Sequence, residues 1–358
     1  MDINELLAFS CKNNASDLHI TSNQAPMLRI NGEMVTVRVN ALSSDEVTQM
    51  LYSIMTEKQR VEYEQEYEVD FSVHLASEGR FRVNAFNTLN GPAAVLRTIP
   101  TRIQSLEELS LPAILDDLTY KNKGLVLVTG PTGSGKSTTL AAMINQINKN
   151  QSKHIITIED PVEFVHRSEN SLINQRELGT STKSFARALK SALREDPDVI
   201  MVGEMRDLDT IALALTAAET GHLVFGTLHT SSAAKTIDRI LDVFPEGDKA
   251  MVRTMLASSL EAIVTQILVR AADGKKRTAV HEILLANSAV RNLIRDNKIP
   301  QVYSIMQVNS KHGMQTMRDS VYHLMDEGIV TKEEARNALN MSIDDSEEAA
   351  AQRKSGGF

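Results

Sequence analysis

The sequence predicts an α/β chain of two domains, and three observations carry that expectation. From residue 124 onward, short apolar runs at 125–129, 155–158, 199–202 and 223–227 alternate with helical segments. That alternation is the pattern of a parallel sheet with crossover helices. Before residue 100, strand-like runs surround a charged helical stretch, the pattern of a small α+β domain. The length of 358 residues exceeds the ~100 to 200 of an ordinary single core, so two cores are expected.

In chain order, the runs 28–30 and 35–39 flank Asn31-Gly32, a dipeptide that tolerates positive φ and so turns a hairpin. Residues 44–67 are charged and helical in pattern, and further strands are expected at 71–73 and 80–86, which makes 1–99 the first domain. The stretch 100–117, with Pro100, Thr101 and Pro112, reads as a connection to a second domain over 118–345. Past about residue 250 helices are expected to dominate. Val252, Met255, Leu256, Ile263 and Ile267 keep a helical period, as do Met314, Met317, Val321, Leu324 and Met325. Thr331 and Glu334 have the spacing of a capping box. The polar, glycine-containing tail 346–358 is expected to be disordered.

Composition narrows the function. A net charge of −8 lacks the positive field with which nucleic-acid binders reach phosphate, so no nucleic-acid partner is expected. The single cysteine, Cys11, allows neither an internal disulfide nor a Cys-rich metal site and suits a reducing cytoplasm. Asp2 and Glu5 at the start, with no basic stretch before an apolar run, do not make a signal peptide. The apolar runs fall far short of the ~20 residues of a membrane span. A soluble chain is expected, with no direct membrane insertion and any membrane role supplied by a partner.

Chemistry concentrates first in Gly130-Pro131-Thr132-Gly133-Ser134-Gly135-Lys136-Ser137, which matches G-x-x-x-x-G-K-[ST] between a strand and a helix that begins near Thr138. Glycines let successive N–H groups turn toward phosphate oxygens, and the helix start adds its dipole. Lys136 supplies a point charge and Ser137 a ligand for Mg²⁺, so residues 130–138 are the candidate ATP site. Turnover also needs carboxylates at neighbouring strand ends. The run 155–158 leads into Glu159-Asp160-Pro161-Val162-Glu163, and 199–202 into Gly203-Glu204. Such acids hold Mg²⁺ or orient the attacking water. Glu204 is a second candidate metal ligand, and either Glu163 or Glu204 suits the base.

His222 and His229 flank the strand that starts at 223. Seven extended residues span ~23 Å, so the two cannot share a metal. His229, at the end nearer the phosphates, is placed to sense the γ-phosphate. Arg80 and Arg82 alternate onto one strand face, which suits a salt-bridged surface or an anion contact.

These motifs together resemble the secretion-type ATPase superfamily, most closely its pilus-retraction branch. The resemblance rests on Ala15-Ser16-Asp17-Leu18-His19, Arg80-Phe81-Arg82-Val83-Asn84, the loop at Gly130, the acidic box 157–163, the segment 198–206 and the histidine segments 220–222 and 228–230. Ala289-Val290-Arg291-Asn292-Leu293-Ile294-Arg295-Asp296 is similar to that branch's C-terminal motif, with Val290 and Asp296 as departures. The resemblance implies a PAS-like first domain and a RecA-like P-loop ATPase domain with a helical C-terminal part, assembled as a homo-oligomeric ring, usually hexameric. It implies that Arg82 and Arg97 approach a neighbouring subunit's ATP and that Glu204 is usual at its position. It further implies a cytoplasmic motor for pilus retraction and twitching motility, working through an inner-membrane pilus platform. Within 289–296, Val290, Leu293 and Ile294 share one helix face, leaving Arg291, Arg295 and Asp296 free to couple the ring to the pilus machinery. A nucleotide-binding regulator with little turnover and a nucleic-acid translocase are the competing expectations; intact Lys136, Glu163 and Glu204 weigh against the first and the charge against the second.

Overall fold

A computed structural model describes residues 2–30, 32–75, 79–99, 102–274 and 276–343, without the side chains of residues 75 and 340–343. Asn31 of the expected turn, Pro100 and Thr101 of the expected connection, and the expected disordered tail lie outside the described residues. The chain divides into two compact units, residues 1–102 with 163–165, and residues 103–162 with 166–358.

The first unit contains α1 (Ile3–Lys12), β1 (Asp17–Thr21), β2 (Met27–Ile30), β3 (Glu33–Thr36), α2 (Ser44–Ile54), α3 (Glu57–Glu66), β4 (Glu68–Leu75), β5 (Gly79–Thr88) and β6 (Gly91–Ile99). Its sheet is antiparallel in the order β3-β2-β1-β6-β5-β4. Each helix starts on a reciprocal capping box, Asp2 with Glu5, Ser43 with Glu46 and Thr56 with Gln59. Two otherwise unpaired N–H groups are satisfied at each start. The charged stretch 44–67, expected to be helical, forms two helices parted at Met55. Strand alternation sends Phe81, Val83 and Ala85 inward against Leu6, Leu7, Val47 and Leu51, which leaves Arg82 on the opposite face. Strand β1 carries no expectation from the sequence and is held between β2 and β6, while Arg97, expected in a strand-like region, lies on β6.

The second unit contains α4 (Ile114–Thr119), β7 (Gly124–Thr129), α5 (Lys136–Asn150), β8 (His154–Glu159), β9 (Leu172–Glu177), α6 (Phe185–Ala192), β10 (Val199–Val202), α7 (Leu208–Glu219), β11 (Leu223–Leu228), α8 (Ala233–Asp242), α9 (Lys249–Ser259), β12 (Leu260–Arg270), β13 (Arg277–Leu285), α10 (Ser288–Arg295), α11 (Val302–Val308), α12 (Met317–Asp326) and α13 (Lys332–Ile343). Its sheet runs β13-β12-β7-β11-β10-β8-β9, parallel except for β13. Every residue of β7, β10 and β11 is buried, as expected of strands covered on both faces. Leu125 and Leu127 face one core with α6 to α10, and Val126 and Val128 the other with α4 and α5. Thr331 accepts from the Glu334 N–H at the start of α13, as its spacing predicts.

One expectation fails. Ile263 and Ile267 do not continue the helix of Val252 and Leu256, because α9 stops at Ser259 and both isoleucines lie on β12. A spacing of four satisfies both the helical and the strand period. Pairing with β7 on one side and β13 on the other decides in favour of the strand.

Candidate nucleotide site

The parallel strands β7, β11, β10 and β8 are consecutive neighbours, so their C-terminal ends form one row. From these ends leave the glycine loop, His229, Glu204 and Glu159-Asp160, respectively. Chain order reverses across β7, with β11 and β12 on opposite sides, and open α/β sheets bind ligands at such a point. Adjacent strands lie ~4.8 Å apart, which puts β10 ~10 Å and β8 ~14 Å from the loop strand. A side chain and a phosphate span the first distance more readily than the second.

The loop is shaped by glycine. Gly130, Gly133 and Gly135 have φ of 138°, 78° and 87°. A Cβ on Gly130 would also collide with the Gln266 carbonyl oxygen. The Lys136 ammonium, on a residue only 9% exposed, donates to the carbonyls of Gly130 at 2.9 Å and Pro131 at 3.0 Å. Neutral carbonyls are weak partners for a buried cation, and an anionic phosphate is a stronger one. Pro131 and Thr132 are exposed, Ser134 is buried, and Ser137 and Thr138 are partly exposed in the first turn of α5.

Backbone bonds to both neighbouring strands hold Glu204. The Gly203 N–H donates to the Ile158 carbonyl at 2.7 Å, the Met205 N–H donates to the Thr227 carbonyl at 3.0 Å, and the Thr227 hydroxyl donates to the Gly203 carbonyl. The Glu204 carboxylate lies 3.0 Å from His229 Nε2 and is paired with Arg206 Nε. Burial pushes the carboxyl up, but the hydrogen bond from Arg206 and the charges of His229 and Arg206 outweigh it and hold it below the usual carboxylate range. Glu159 is buried, with its Oε1 accepting from Thr157 at 2.6 Å and Gln175 at 3.1 Å, so it is committed to the sheet. Nothing in the sequence pattern singles out Arg206, two residues after Glu204, as that carboxylate's partner.

Glu163 groups with the first unit, and the loop, Glu204 and His229 belong to the second. Arg82 and Arg97, also of the first unit, are brought together as direct cross-strand partners on β5 and β6. Like charges placed opposite each other repel, and two acids offset the cost. Asp17 Oδ1 accepts from Arg97 Nε at 2.8 Å, and Asp70 lies 3.9 Å from Arg82 Nε. Burial raises the Asp17 carboxyl, and the bonds from Arg97 and Ser16 overcome that to leave it below the usual range. His222 lies at the opposite end of β11 from His229, its Nδ1 3.0 Å from the Ala217 carbonyl. The two do not meet.

The model of the type II/IV secretion system protein family matches residues 1–337. The chain belongs to that family. Within it, the chain is 61% identical over 317 residues to a twitching motility protein of Neisseria gonorrhoeae, covering 88% of this chain and 85% of that one. It is 53% identical to the type IV pilus retraction ATPase PilT of Pseudomonas aeruginosa, covering 94% and 97%. The crystal structure of the pilus retraction motor PilT with bound ADP superposes with a TM-score of 0.89 at 47% identity, over 94% of this chain and 97% of that one. Family membership and a complete glycine loop make the second unit a P-loop ATPase unit. Among the described residues, no helix is long and apolar enough to cross a membrane.

Proposed function

We propose that this chain is an ATP-hydrolysing motor that powers type IV pilus retraction and hence twitching motility. The observation that carries the chemistry is the Glu204–His229 pair at the ends of adjacent strands, with His229's strand next to the loop strand. The reaction is ATP and water to ADP and phosphate. Loop N–H groups between Gly130 and Thr138 cradle the phosphates, and Lys136 exchanges its carbonyl partners for phosphate oxygens. Glu204 orients the attacking water and accepts its proton, while His229 ties the carboxylate to the neighbouring strand and reports phosphate loss to β11. Glu163 is the other candidate for the base. The hydroxyl of Ser137 and the carboxylate of Glu204 are hard oxygen donors of the kind Mg²⁺ takes, and the ion would neutralise charge on the β- and γ-phosphates.

We read residues 1–99 as a PAS-like domain, 100–117 as the connection and 118–345 as a RecA-like domain. The antiparallel sheet with its capped helices supports the first reading, and the strand order around β7 supports the last. The working form is a homo-hexameric ring in the cytoplasm, docked on an inner-membrane pilus platform, in which Arg82 and Arg97 reach the ATP of the adjacent subunit. An added guanidinium is worth ~10³ to 10⁵ in rate at a phosphoryl group. Two measurements test the proposal: phosphate release by the purified chain, and pilus retraction in cells lacking it. Lys136→Ala should abolish both. Near-normal hydrolysis by that variant would refute the loop assignment, and retraction unaffected by loss of the chain would refute the motor role.

A further inference from the structure

Gln266 is a polar residue in the middle of an apolar strand. The residue is 2% exposed, on β12 beside the loop strand. A buried carboxamide is costly unless its groups are bonded, and here both ends are. Oε1 accepts from the Thr139 hydroxyl of α5 at 2.7 Å, and Nε2 donates to the Ser134 carbonyl inside the glycine loop at 2.6 Å. A peptide carbonyl only accepts, so the amide nitrogen must face Ser134 and the orientation is unique. The backbone of the same residue bars a Cβ at Gly130, and a Cβ at Gly135 would come within 2.8 Å of Nε2. Beside it, the Thr265 hydroxyl lies 2.9 Å from that of Thr129 at the end of β7. A single strand, β12, thus touches the strand before the loop, the loop and the helix after it.

We propose that Gln266 is a positioning residue for phosphate binding, acting through Ser134 and Thr139 and not on the nucleotide itself. The reason lies in the planar trans peptide, where C=O and N–H point in opposite directions. Pinning the Ser134 carbonyl to β12 turns the Gly135 N–H away from β12. Without the pin, the Ser134–Gly135 peptide is free to rotate, and a phosphate must stop that rotation on binding. This inference rests on the nucleotide reading of the loop.

The test is the dissociation constant of a fluorescent ADP analogue, measured beside the unfolding temperature of the unliganded protein. Gln266→Glu keeps the shape and the Thr139 bond but sets an acceptor against the Ser134 carbonyl. Affinity should fall at least tenfold, about 1.4 kcal/mol, at a temperature where the variant is still folded, although the buried carboxylate facing a carbonyl also lowers its unfolding temperature. As pH is lowered, this variant alone should regain affinity, because a protonated carboxyl donates to the carbonyl again. Gln266→Leu should lose affinity at every pH. Affinity within twofold of the unaltered chain in both variants would overturn the proposal. So would affinity and unfolding temperature falling together without recovery at low pH, since that marks a merely structural residue. If the unaltered chain binds no ADP analogue, the nucleotide reading fails and this inference falls with it.

Discussion

Carboxylates of similar sequence context have different tasks in this chain, and their neighbours make the difference. Glu159 is buried and accepts from Thr157 and Gln175, whereas Glu204 faces His229 and a largely exposed Arg206. Glu204→Gln preserves size but cannot take a proton, so ATP should still bind while turnover falls ~10² to 10⁴-fold. Equal turnover in a phosphate-release assay would move the base elsewhere, with Glu163→Gln as the next variant. His281, away from this site, is a titratable group that burial holds neutral, its pKa pushed down to about 4. The unfolded chain takes up the proton near the ordinary histidine pKa of ~6.5 and the folded chain only near 4, so stability is highest above that window and falls as pH drops through it. The slope from this group is at most ~1.4 kcal/mol per pH unit. Urea unfolding of His281→Phe between pH 4.5 and 7 should show a flatter dependence; an unchanged slope would assign the acid sensitivity to other groups, His166 among them.

Helix α10 illustrates how an element constrains residues that look free in the sequence. Its apolar face is as expected, with Val290 and Ile294 buried and Leu293 packed beside them. Arg291, expected to be free for coupling, is instead engaged within its own unit. Its guanidinium donates to the carbonyls of Ala257 and Ser258, each at 2.8 Å, and to Glu261 at 2.7 Å. Those carbonyls belong to the last turn of α9, where a cation opposes the helix dipole. Arg295 is exposed and forms no ion pair among the described residues. Arg291→Ala should therefore cost about 1 to 3 kcal/mol of stability, read from denaturant unfolding. Arg295→Ala should shift stability by less than about 0.5 kcal/mol. In a retraction assay only Arg295→Ala isolates coupling from folding. Equal stability losses in both variants would contradict this division.

At the scale of the assembly, the paired arginines on β5 and β6 make the ring testable. If Arg82 and Arg97 act on a neighbour's nucleotide, Arg82→Ala subunits have an intact loop without a donor, and Lys136→Ala subunits have the reverse. Mixing the two inactive proteins should restore hydrolysis through interfaces that pair an intact loop with an intact Arg82. With subunit exchange verified by labelled chains, no recovery at any ratio would place the arginines outside a shared site. Asp17 bears on the same assay, because it orients Arg97 through a bond to Nε, and among the described residues no hydrogen bond engages the terminal nitrogens.

What the sequence determined by itself is the chemistry carried by contiguous residues. The loop 130–138 needs its glycines, lysine and serine at fixed spacing between a strand and a helix, so the motif implies its own geometry. The strand-end acids and the opposed ends of β11 were legible for the same local reason, as was the cap at Thr331. Tertiary structure alone decided the rest. Spacing could not separate strand from helix at Ile263 and Ile267, and only pairing with β7 and β13 made β12 a strand. Likewise it could not show that Gln266 supports a loop 132 residues earlier in the chain, or that Arg291 holds the end of α9. Hydrogen-bond partners so far apart in the chain leave no periodic trace. They meet because the sheet order places β12 beside β7 and because a buried polar group left without a partner is costly.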